Sequence, residues 1–520
     1  MNPGLDQYSV ALIAVLAVPA LAALIAALLP ERAGKLVALV GAAVTFGLTA
    51  VLGLAGSAGP LVLNHITPWA EINYSWIPAL EVDFHLAVDG VSYPLVVLTG
   101  LLTLLCCAYT MKRVPGAGSG RTLMALLLIL EVGILGTFLA FDLVLFFLFF
   151  EVTLLPMYAV IAGWGGTERR RAARKFVLYT LFGSVLLLLG VFTVVAAAGT
   201  ADLSALTGGL GLSRDTQYVA FTLFALAFAV KAPLWPLHTW LPDAHTEAPT
   251  VGSVLLAGVL LKMGTYGLIR IGVGVAPTGA AWAAPVLAVL AVAAIVIGSL
   301  VCLRQTELKR LIAYSSVGHM GFVLLGIATL TVTGVQAALL GNVAHGVITG
   351  LLFFLAGAIK DRTHTGDLAS LGGLRETAPR LAGLFGFAAI ASLGLPGLAG
   401  FWGEAFAVVA AVRRGGPLWI TLAAIAAVGG ALTAAYFLRL LRRVTHGAPP
   451  AFVADDSSPT AVALPEPAPS APAAPLALIS RVEWLAWAPL VLLALAVGLV
   501  PSLVLFGTLD PLGAMTEALR

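Results

Sequence analysis

Residues 228–245 read FAVKAPLWPLHTWLPDAH and place a lysine, Lys231, inside a long apolar run that three prolines then interrupt. A lysine near the centre of a membrane helix costs about 2.5–3.5 kcal/mol on insertion scales, so it requires a partner, water or a purpose. Proline removes a backbone donor and breaks its helix. Non-helical backbone at membrane depth persists only where protein or a water-filled cavity surrounds it. The stretch therefore predicts an ion site at a broken membrane helix.

The composition predicts a polytopic membrane protein. Of 520 residues, 60% are hydrophobic and only 10% charged, with a mean hydropathy of +1.02, whereas a globular domain carries about 25% charged residues. The first apolar run lacks the flanks of a signal peptide, so we interpret it as a span. Fourteen segments are long enough to cross a bilayer. Their approximate limits are 9–29, 36–55, 91–111, 122–140, 143–162, 177–198, 218–240, 251–273, 282–302, 310–330, 334–359, 381–411, 417–440 and 485–507.

The distribution of lysine and arginine supports this count. With the N-terminus outside, the inner loops hold twenty-one of these residues, the outer segments hold four, and three lie within spans. Positive residues concentrate in the inner loops of membrane proteins. The asymmetry therefore favours fourteen spans with both termini outside. The high Ala, Gly and Leu content and the absence of a targeting segment indicate a bacterial plasma membrane.

We predict an all-α fold of about fourteen membrane helices with two inverted five-helix repeats. Each repeat has a discontinuous fourth helix, broken near residues 231–233 in the first and near 394–397, ahead of Glu404, in the second. Because five is odd, the two groups must lie upside down to one another, an arrangement typical of transporters in which broken helices mark the site. The predicted units are 1–120 (spans 1–3), 121–275 (first repeat), 281–443 (second repeat), 447–480 (inner linker) and 485–520 (last span and tail).

Two segments lie outside the membrane in this prediction. Residues 56–89 contain no Lys or Arg and form an outer loop, in which Trp69, Tyr74 and Trp76 would pack at the membrane interface. Residues 447–480 are rich in Pro, Ala and Ser, a composition that cannot bury a core and therefore predicts a flexible inner linker.

The sequence contains no recognisable cofactor or metal site. Cys106, Cys107 and Cys302 lie in apolar runs and are too few to hold an iron–sulfur cluster, so we interpret them as small buried side chains. Residues 116–120, GAGSG, follow no strand and do not match a dinucleotide fingerprint. No basic stripe with interleaved aromatic residues indicates nucleic-acid binding.

A glutamate, Glu151, follows the apolar residues FFLFF in span 5. Burial disfavours the charged forms of carboxylates and lysines, so a Glu151/Lys231 pair would hold both groups charged. Separating the pair would free Lys231 to lose its proton. Ionisable groups inside a membrane are functional by default, and we interpret the pair as a switchable proton site. A static ion pair that fixes two helices is the alternative.

Four further ionisable side chains lie at membrane depth: Lys262 in span 8, His319 in span 10, His345 in span 11 and Glu404 in span 12. Histidine changes its charge near physiological pH, so either histidine can relay protons. With water between them, these groups would continue the pair as a lateral proton relay along the midplane. The alternatives are that Lys262 extends to the interface and that the histidines are satisfied core side chains.

A secondary set of candidates comprises Glu131, His238, Asp243 and Lys309. Glu131 is a second carboxylate in span 4, and His238 and Asp243 belong to the broken stretch. Lys309 begins span 10, where anchoring at the membrane surface explains it equally well.

These motifs resemble the antiporter-like membrane subunits of respiratory complex I. The similarity is carried by residues 229–250, by LKRLIAYSSVGHMG at 308–321, by FE at 150–151 with LPMY at 155–158, and by AHG at 344–346. It covers nearly all of spans 4–13, whereas the N-terminal spans and the linker match weakly. A glutamate in span 12 and the lack of a long C-terminal lateral helix favour the M type of these subunits over the larger L type.

The resemblance implies fourteen helices and proton translocation without a redox centre in this chain. NAD, FMN, iron–sulfur clusters and quinone would be held by partner subunits, and the neighbours in the membrane arm would be L- and N-type subunits. The residues that the resemblance assigns to the proton path are the coupling pair Glu151–Lys231, the relay Lys262 and His319 with His345 nearby, and the outlet Glu404.

Other functions stay open from the sequence. An Mrp-type cation/proton antiporter subunit shares these motifs and would exchange Na⁺ without a redox partner, so a quinone-site inhibitor would not affect it. A hydrogenase membrane subunit would co-purify with different partners. A haem-bearing electron carrier, with His319 and His345 as axial ligands, would show a visible absorption spectrum.

Overall fold

The computed structural model of the chain describes residues 7–56, 68–78, 82–116, 118–447 and 476–505. Residues 448–475 of the predicted linker and the tail after residue 505 lie outside this description. The helices are α1 (Gln7–Leu28), α2 (Glu31–Leu54), α3 (Tyr93–Thr110), α4 (Gly120–Leu139), α5 (Leu143–Val152), α6 (Leu154–Trp164), α7 (Arg169–Ala198), α8 (Leu203–Leu206), α9 (Arg214–Lys231), α10 (Trp240–Glu247), α11 (Thr250–Leu255), α12 (Leu261–Gly267), α13 (Pro277–Cys302), α14 (Leu308–Ala328), α15 (Val332–Thr363), α16 (Leu374–Thr377), α17 (Pro379–Ser392), α18 (Ala399–Arg414), α19 (Gly416–Thr445), α20 (Arg481–Leu499) and α21 (Ser502–Leu505).

The described chain contains twelve helical segments that are long and apolar enough to cross a membrane. This confirms the prediction of a helical multi-pass membrane protein. The two predicted spans that are not among the twelve are the interrupted ones. In the first, α9 ends at Lys231 and α10 begins at Trp240; in the second, α17 ends at Ser392 and α18 begins at Ala399. A count of fourteen therefore depends on treating each interrupted pair as one span.

A two-stranded antiparallel hairpin lies between α2 and α3, within the predicted outer loop. Strand β1 (Ala70–Ile77) pairs with β2 (Val82–Val88), with Tyr74 opposite Phe84. The all-α prediction holds for the membrane helices and misses this hairpin, because a search for long apolar runs ignores short segments of alternating burial. Tyr74 and Trp76 are about half exposed, as expected for side chains at a membrane interface.

The hairpin continues into the loops that start the first repeat. Phe141 N donates to His85 O at 2.9 Å, and Asp142 accepts hydrogen bonds from two backbone amides in the first turn of α5. Asp202, on the neighbouring loop, lies 3.3 Å from His85. Burial raises the pKa of Asp202, but His85 and the backbone amide of Ser204 outweigh burial and hold that pKa below its usual range. This polar cap fixes the start of the helix that carries Glu151.

Two isolated backbone bridges occur at equivalent positions of the two repeats. Asp142 pairs with Asp202 at the start of α5, and Glu307 pairs with Asp367 at the start of α14; each partner of the second bridge lies 165 residues after its counterpart. The first bridge lies beside the hairpin. The second lies beside residues 247–248, which contact the opposite end of the span 143–164. Equivalent contacts at opposite ends of the helices support the predicted inverted repeat.

The last spanning helix, α20, is held at both ends. Near its start Glu483, which is 0% exposed, accepts hydrogen bonds from Arg362 at 2.9 Å and from Arg113 at 3.2 Å. Near its end, Trp402 of α18 donates from Nε1 to Gly498 O at 2.8 Å. These contacts join α20 to α3, to α15 and to the broken helix of the second repeat.

Glu483→Ala is expected to lower the stability of the protein by about 3–5 kcal/mol, because it leaves a buried arginine without its counterion. Thermal unfolding of the solubilised protein measures the loss. Arg481→Ala is the control, since Arg481 is exposed in the first turn of the same helix. Equal unfolding temperatures for the two variants would contradict the anchoring role of Glu483.

Candidate functional site

Four of the predicted relay residues lie in a line in the interior, with a short contact at each end and no hydrogen bond between the two histidines in the middle. Lys262 Nζ donates to Ala257 O at 2.5 Å and lies 2.6 Å from His345 Nδ1. The ring centroids of His345 and His319 are 5.9 Å apart. His319 Nδ1 lies 2.8 Å from Glu404 Oε1. The structure thus brings together, from four different helices, side chains that are up to 142 residues apart in the sequence.

Lys262 lies in a helix of irregular geometry and is fully buried, at 0% exposure. Helix α12 carries it between two π-helical segments, Leu256–Leu260 and Leu268–Val273. Such π turns are rare in proteins, and those that occur are often found at functional sites. The carbonyl that accepts from Lys262 belongs to Ala257 in the first of these segments, so the irregular backbone supplies an acceptor for the buried amine.

The Glu404 end of the line borders a cavity between α14, α15 and α18. His319, Ser392 and Glu404 are among its lining residues, and Ser392 Oγ lies 2.9 Å from His319 Nε2. Both ring nitrogens of His319 therefore have polar neighbours. A Cβ at Gly403 would lie only 2.7 Å from Gly341 N, so glycine at this position lets α18 approach α15 closely enough to present Glu404.

The break after α9 places Lys231 at the end of a helix, with 3% exposure. Its Nζ donates to Thr153 Oγ1 at 3.2 Å and lies 4.6 Å from the centre of the Phe150 ring, where the ring face attracts a cation. Trp240 Nε1 donates to Val230 O at 2.9 Å. A carbonyl that the break would leave without a partner is thereby satisfied.

Glu151 and Lys231 are neighbours without a direct ion pair in the described structure. Glu151 accepts a hydrogen bond from Ser184 Oγ, whereas Lys231 bonds Thr153, two residues further along the chain. The charge of Glu151 still acts on Lys231 across this gap. The switchable pair stays a prediction, and in the described structure each group binds a hydroxyl instead of the other.

Close backbone packing connects Lys231 with the line that starts at Lys262. A Cβ at Gly264 would lie 2.7 Å from Ala232 N and 2.8 Å from Phe228 O. Gly264 is two residues after Lys262, and Ala232 directly follows Lys231. The helix of one lysine thus touches the break that carries the other, and only glycine permits this approach.

Two of the secondary candidates lie at the edge of this core. Asp243 accepts from Lys175 Nζ at 2.7 Å and from Arg310 at 3.2 Å, a partly exposed ion-pair cluster that ties the helices together. Lys309 is buried and donates from Nζ to Ala248 O at 3.1 Å.

The other two secondary candidates each have buried side-chain atoms without a hydrogen-bond partner among the described residues. Both carboxyl oxygens of Glu131 are buried without a partner, and so is Nδ1 of His238. Buried polar groups are normally satisfied by protein or by ordered water. His238 lies near Tyr314, with ring centroids 6.2 Å apart, whereas Glu131 lies on α4, the first helix of the predicted first repeat.

The sequence interpretation missed His245 as a candidate. Its ring is 0% exposed, stacks on Phe353 with centroids 4.5 Å apart, and has no hydrogen-bond partner on either nitrogen within the described chain. The charges of Lys309 and Lys262 both act on it. Its position at the end of the broken stretch, seven residues after His238, was the available signal.

The arrangement can hold and pass protons. Lysine, histidine and glutamate each exist in two protonation states, and the line from Lys262 to Glu404 alternates such groups at hydrogen-bond or near-contact distance. Across the described ranges, no three His, Cys, Asp or Glu side chains come together as a metal site.

Comparisons with known proteins identify the family of the chain. Residues 140–433 match the family described as "NADH:quinone oxidoreductase/Mrp antiporter, TM". The chain is similar to NADH-quinone oxidoreductase subunit M of Rhodobacter capsulatus, with 40% identity over 91% of this chain and 88% of the relative. It is also similar to NAD(P)H-quinone oxidoreductase chain 4 1 of Synechococcus sp. (strain JA-3-3Ab), with 45% identity over 74% of this chain and 73% of the relative.

Two solved structures share the fold. A chain of respiratory complex I from Thermus thermophilus superposes with a TM-score of 0.81 and 30% identity, covering 98% of this chain and 100% of that one. A chain of the Mrp complex from Dietzia sp. DQ12-45-1b superposes with a TM-score of 0.80, 24% identity and the same coverage. The second similarity concerns the fold alone.

Proposed function

The chain belongs to the NADH:quinone oxidoreductase/Mrp antiporter transmembrane family, and from this premise we propose that it translocates protons as a membrane-arm subunit of an NADH:quinone oxidoreductase of the complex I type. The observation that carries the proposal is the line Lys262–His345–His319–Glu404, which begins at a fully buried lysine and ends beside a cavity. Ionisable side chains are too costly at membrane depth to be retained without a purpose.

The proposed mechanism separates proton transfer from electron transfer. Lys231 alternates between an ion pair with Glu151 and its contacts with Thr153 and the Phe150 ring. The position of its charge changes the pKa of Lys262 and so the release of a proton from Lys262 toward His345. His319 then passes a proton to Glu404 beside the cavity that Ser392 also lines. Electron transfer from NADH to quinone takes place in partner subunits, which hold NAD, FMN, the iron–sulfur clusters and quinone.

The proposal includes the surroundings of the chain. L- and N-type antiporter-like subunits are its neighbours in the membrane arm, beside the lipid bilayer. The membrane is a bacterial plasma membrane, and both termini lie outside, as the concentration of Lys and Arg in alternate loops favours.

A cation/proton antiporter of the Mrp type is the second candidate, supported by the shared fold. Sequence identity favours the first candidate, since the complex I-type relatives are 40–45% identical to this chain, whereas the Mrp chain is 24% identical. Sensitivity of proton movement to a quinone-site inhibitor discriminates between the two, because an antiporter has no quinone chemistry to inhibit.

Lys231→Ala in sealed vesicles tests the proposal. We expect NADH-driven acidification and electron transfer to fall together by about a hundredfold, the scale on which positioned proton-transfer groups contribute, while the complex assembles. Arg443→Ala is the control, because Arg443 is exposed at the end of α19. Persistence of both activities would make Lys231 structural, and loss of sodium exchange with intact electron transfer would favour the antiporter.

A further inference from the structure

An ion pair lies buried beside the hairpin, two helical turns along the chain from Lys262. Arg270 Nη2 donates to Asp89 Oδ2 at 2.5 Å, and the two side chains are only 6% and 8% exposed. Asp89 directly follows strand β2, and Arg270 lies in the π-helical segment Leu268–Val273. Buried charges are costly unless they are paired and hydrogen-bonded. The relay uses neither residue, so the pair requires an explanation of its own.

The carboxylate of Asp89 has donors on both oxygens. Oδ2 accepts from Arg270, and Oδ1 accepts from the backbone amides of Val91 and Ser92, both at 3.0 Å. A guanidinium stays charged in proteins, and a backbone amide does not ionise. The carboxylate therefore binds only groups that do not release protons, and it holds the guanidinium in one position.

A tyrosine lies between this pair and the lysine of the relay. Tyr266 is four residues after Lys262 and four before Arg270, and side chains four apart share a helix face. Its hydroxyl accepts from Arg270 Nε at 3.2 Å and donates to Phe138 O at 3.0 Å. Tyr266 and Lys262 are both 0% exposed. Lys262, Tyr266, Arg270 and Asp89 thus follow one another as a buried polar column toward the hairpin.

Aromatic rings pack around the guanidinium at the end of this column. The ring centres of Phe141 and Tyr266 lie 5.0 Å and 5.5 Å from Cζ of Arg270, within the range of a cation–π contact. Phe141 is itself 0% exposed. The column therefore ends in a permanent cation with apolar walls, and that cation is fixed by a carboxylate, a hydroxyl and two rings.

We propose that Arg270 is a fixed-charge barrier, which keeps a proton on Lys262 from leaving toward the hairpin and keeps protons on that side from returning to Lys262. Arginine does not give up its proton in proteins, and a fixed arginine charge can exclude protons from a narrow polar path. The proposed orientation places the hairpin outside, so the barrier leaves His345 as the acceptor for the proton of Lys262. The inference rests on the proposed function and adds a residue that gives it direction.

The alternative is that the ion pair only ties the end of the hairpin to the helix of Lys262. Arg270→Lys separates the two roles. Lysine keeps the positive charge and can still pair with Asp89, so a structural tie would persist. A buried lysine readily loses its proton, so a barrier that depends on a permanent charge would fail.

Arg270→Lys is expected to retain electron transfer in inside-out vesicles and to lose much of the NADH-driven acidification, because protons leak back. A pH gradient imposed without NADH is expected to decay about tenfold faster, which corresponds to a barrier lowered by about 1.4 kcal/mol. Arg414→Lys is the matched control, since Arg414 also binds a backbone carbonyl and lies over the Trp419 ring, but on α18. Decay at the wild-type rate in Arg270→Lys would overturn the barrier.

A double variant shows whether the leak passes through the relay. Arg270→Lys combined with Lys262→Met is expected to hold the imposed gradient as the wild type does, because methionine removes the proton carrier at the other end of the column. A fast decay that persists in the double variant would come from disturbed packing, and it would contradict the proposal.

A neutral pair provides a second test if Arg270→Lys does not assemble. Arg270→Gln together with Asp89→Asn leaves two amides that can hydrogen-bond to each other and avoids an unpaired buried charge. The same faster decay of the imposed gradient is expected. Failure of both variants to assemble would assign the pair a structural role and reject the barrier.

The single variant Lys262→Met separates this inference from the proposed function. If Arg270→Lys holds the imposed gradient while Lys262→Met does not translocate protons, the barrier is wrong and the relay stands. If Lys262→Met translocates protons normally, the proposed function itself fails, whatever the decay of the gradient in Arg270→Lys.

Discussion

Lys262→Met is expected to abolish proton translocation, with a loss of about a hundredfold or more if the lysine is a positioned proton-transfer group. Methionine resembles lysine in length and is compatible with a fully buried site, but it carries no proton. His345 then loses the amine 2.6 Å from its Nδ1, and the line is interrupted at its first member. NADH-driven acidification of inside-out vesicles, recorded together with the rate of electron transfer, measures both consequences.

Two further variants keep this prediction decisive. Lys262→Arg retains a positive charge without a removable proton and is expected to be as inactive as methionine. Lys35→Met is the matched control, because Lys35 lies outside the relay and donates to the backbone carbonyl of Met111, at 3.0 Å. Near-normal acidification by an assembled Lys262→Met complex would mean that the buried line carries no protons.

Glu404→Gln is the second substitution with a large expected effect. The amide can still accept a hydrogen bond from His319, now 2.8 Å from the carboxylate, so the local packing should persist. It can neither take up nor release a proton, and translocation is expected to fall by about a hundredfold. Glu404→Asp keeps a carboxyl group on a side chain that is one methylene shorter, and it should retain part of the proton translocation.

The control for this position is Glu376→Gln, since Glu376 is exposed on α16. Electron transfer is recorded with acidification in every variant. Coupling predicts that both fall together in Glu404→Gln. Unchanged electron transfer with lost acidification would show that Glu404 conducts protons without controlling the redox reaction, and unchanged values of both would remove Glu404 from the path.

Local signals in the sequence revealed much of this architecture. Proline disrupts the interior of a helix, and ionisable residues at membrane depth are functional by default, so the interruptions near Lys231 and ahead of Glu404 were predictable from a few residues. Family resemblance connected His319 and His345 with the same relay. The short distance between Lys262 and His345 was not predictable, because it depends on how α12 and α15 pack.

Contacts between distant segments account for what the sequence did not reveal. Glu151 and Lys231 were expected as a pair, yet Ser184 and Thr153, ordinary helix residues in the sequence, bind them in the structure. His245 looked like one more residue of a motif until the structure showed a buried ring with no hydrogen-bond partner on either nitrogen among the described residues. The hairpin was not predicted because hydropathy averaged over long windows does not detect the alternation of apolar and polar residues in short strands.

The anchoring of α20 has a mechanical consequence. Near its C-terminal end α20 accepts the indole N–H of Trp402, two residues before Glu404, and near its N-terminal end the carboxylate of Glu483 binds Arg362 of α15 and Arg113 of the loop after α3. Because α20 is bound at both ends, a displacement at one end is passed along the helix to the other. We therefore expect that a tilt of the broken helix near Glu404 would be resisted, through α20, by the arginine contacts of Glu483 at the other end of the helix.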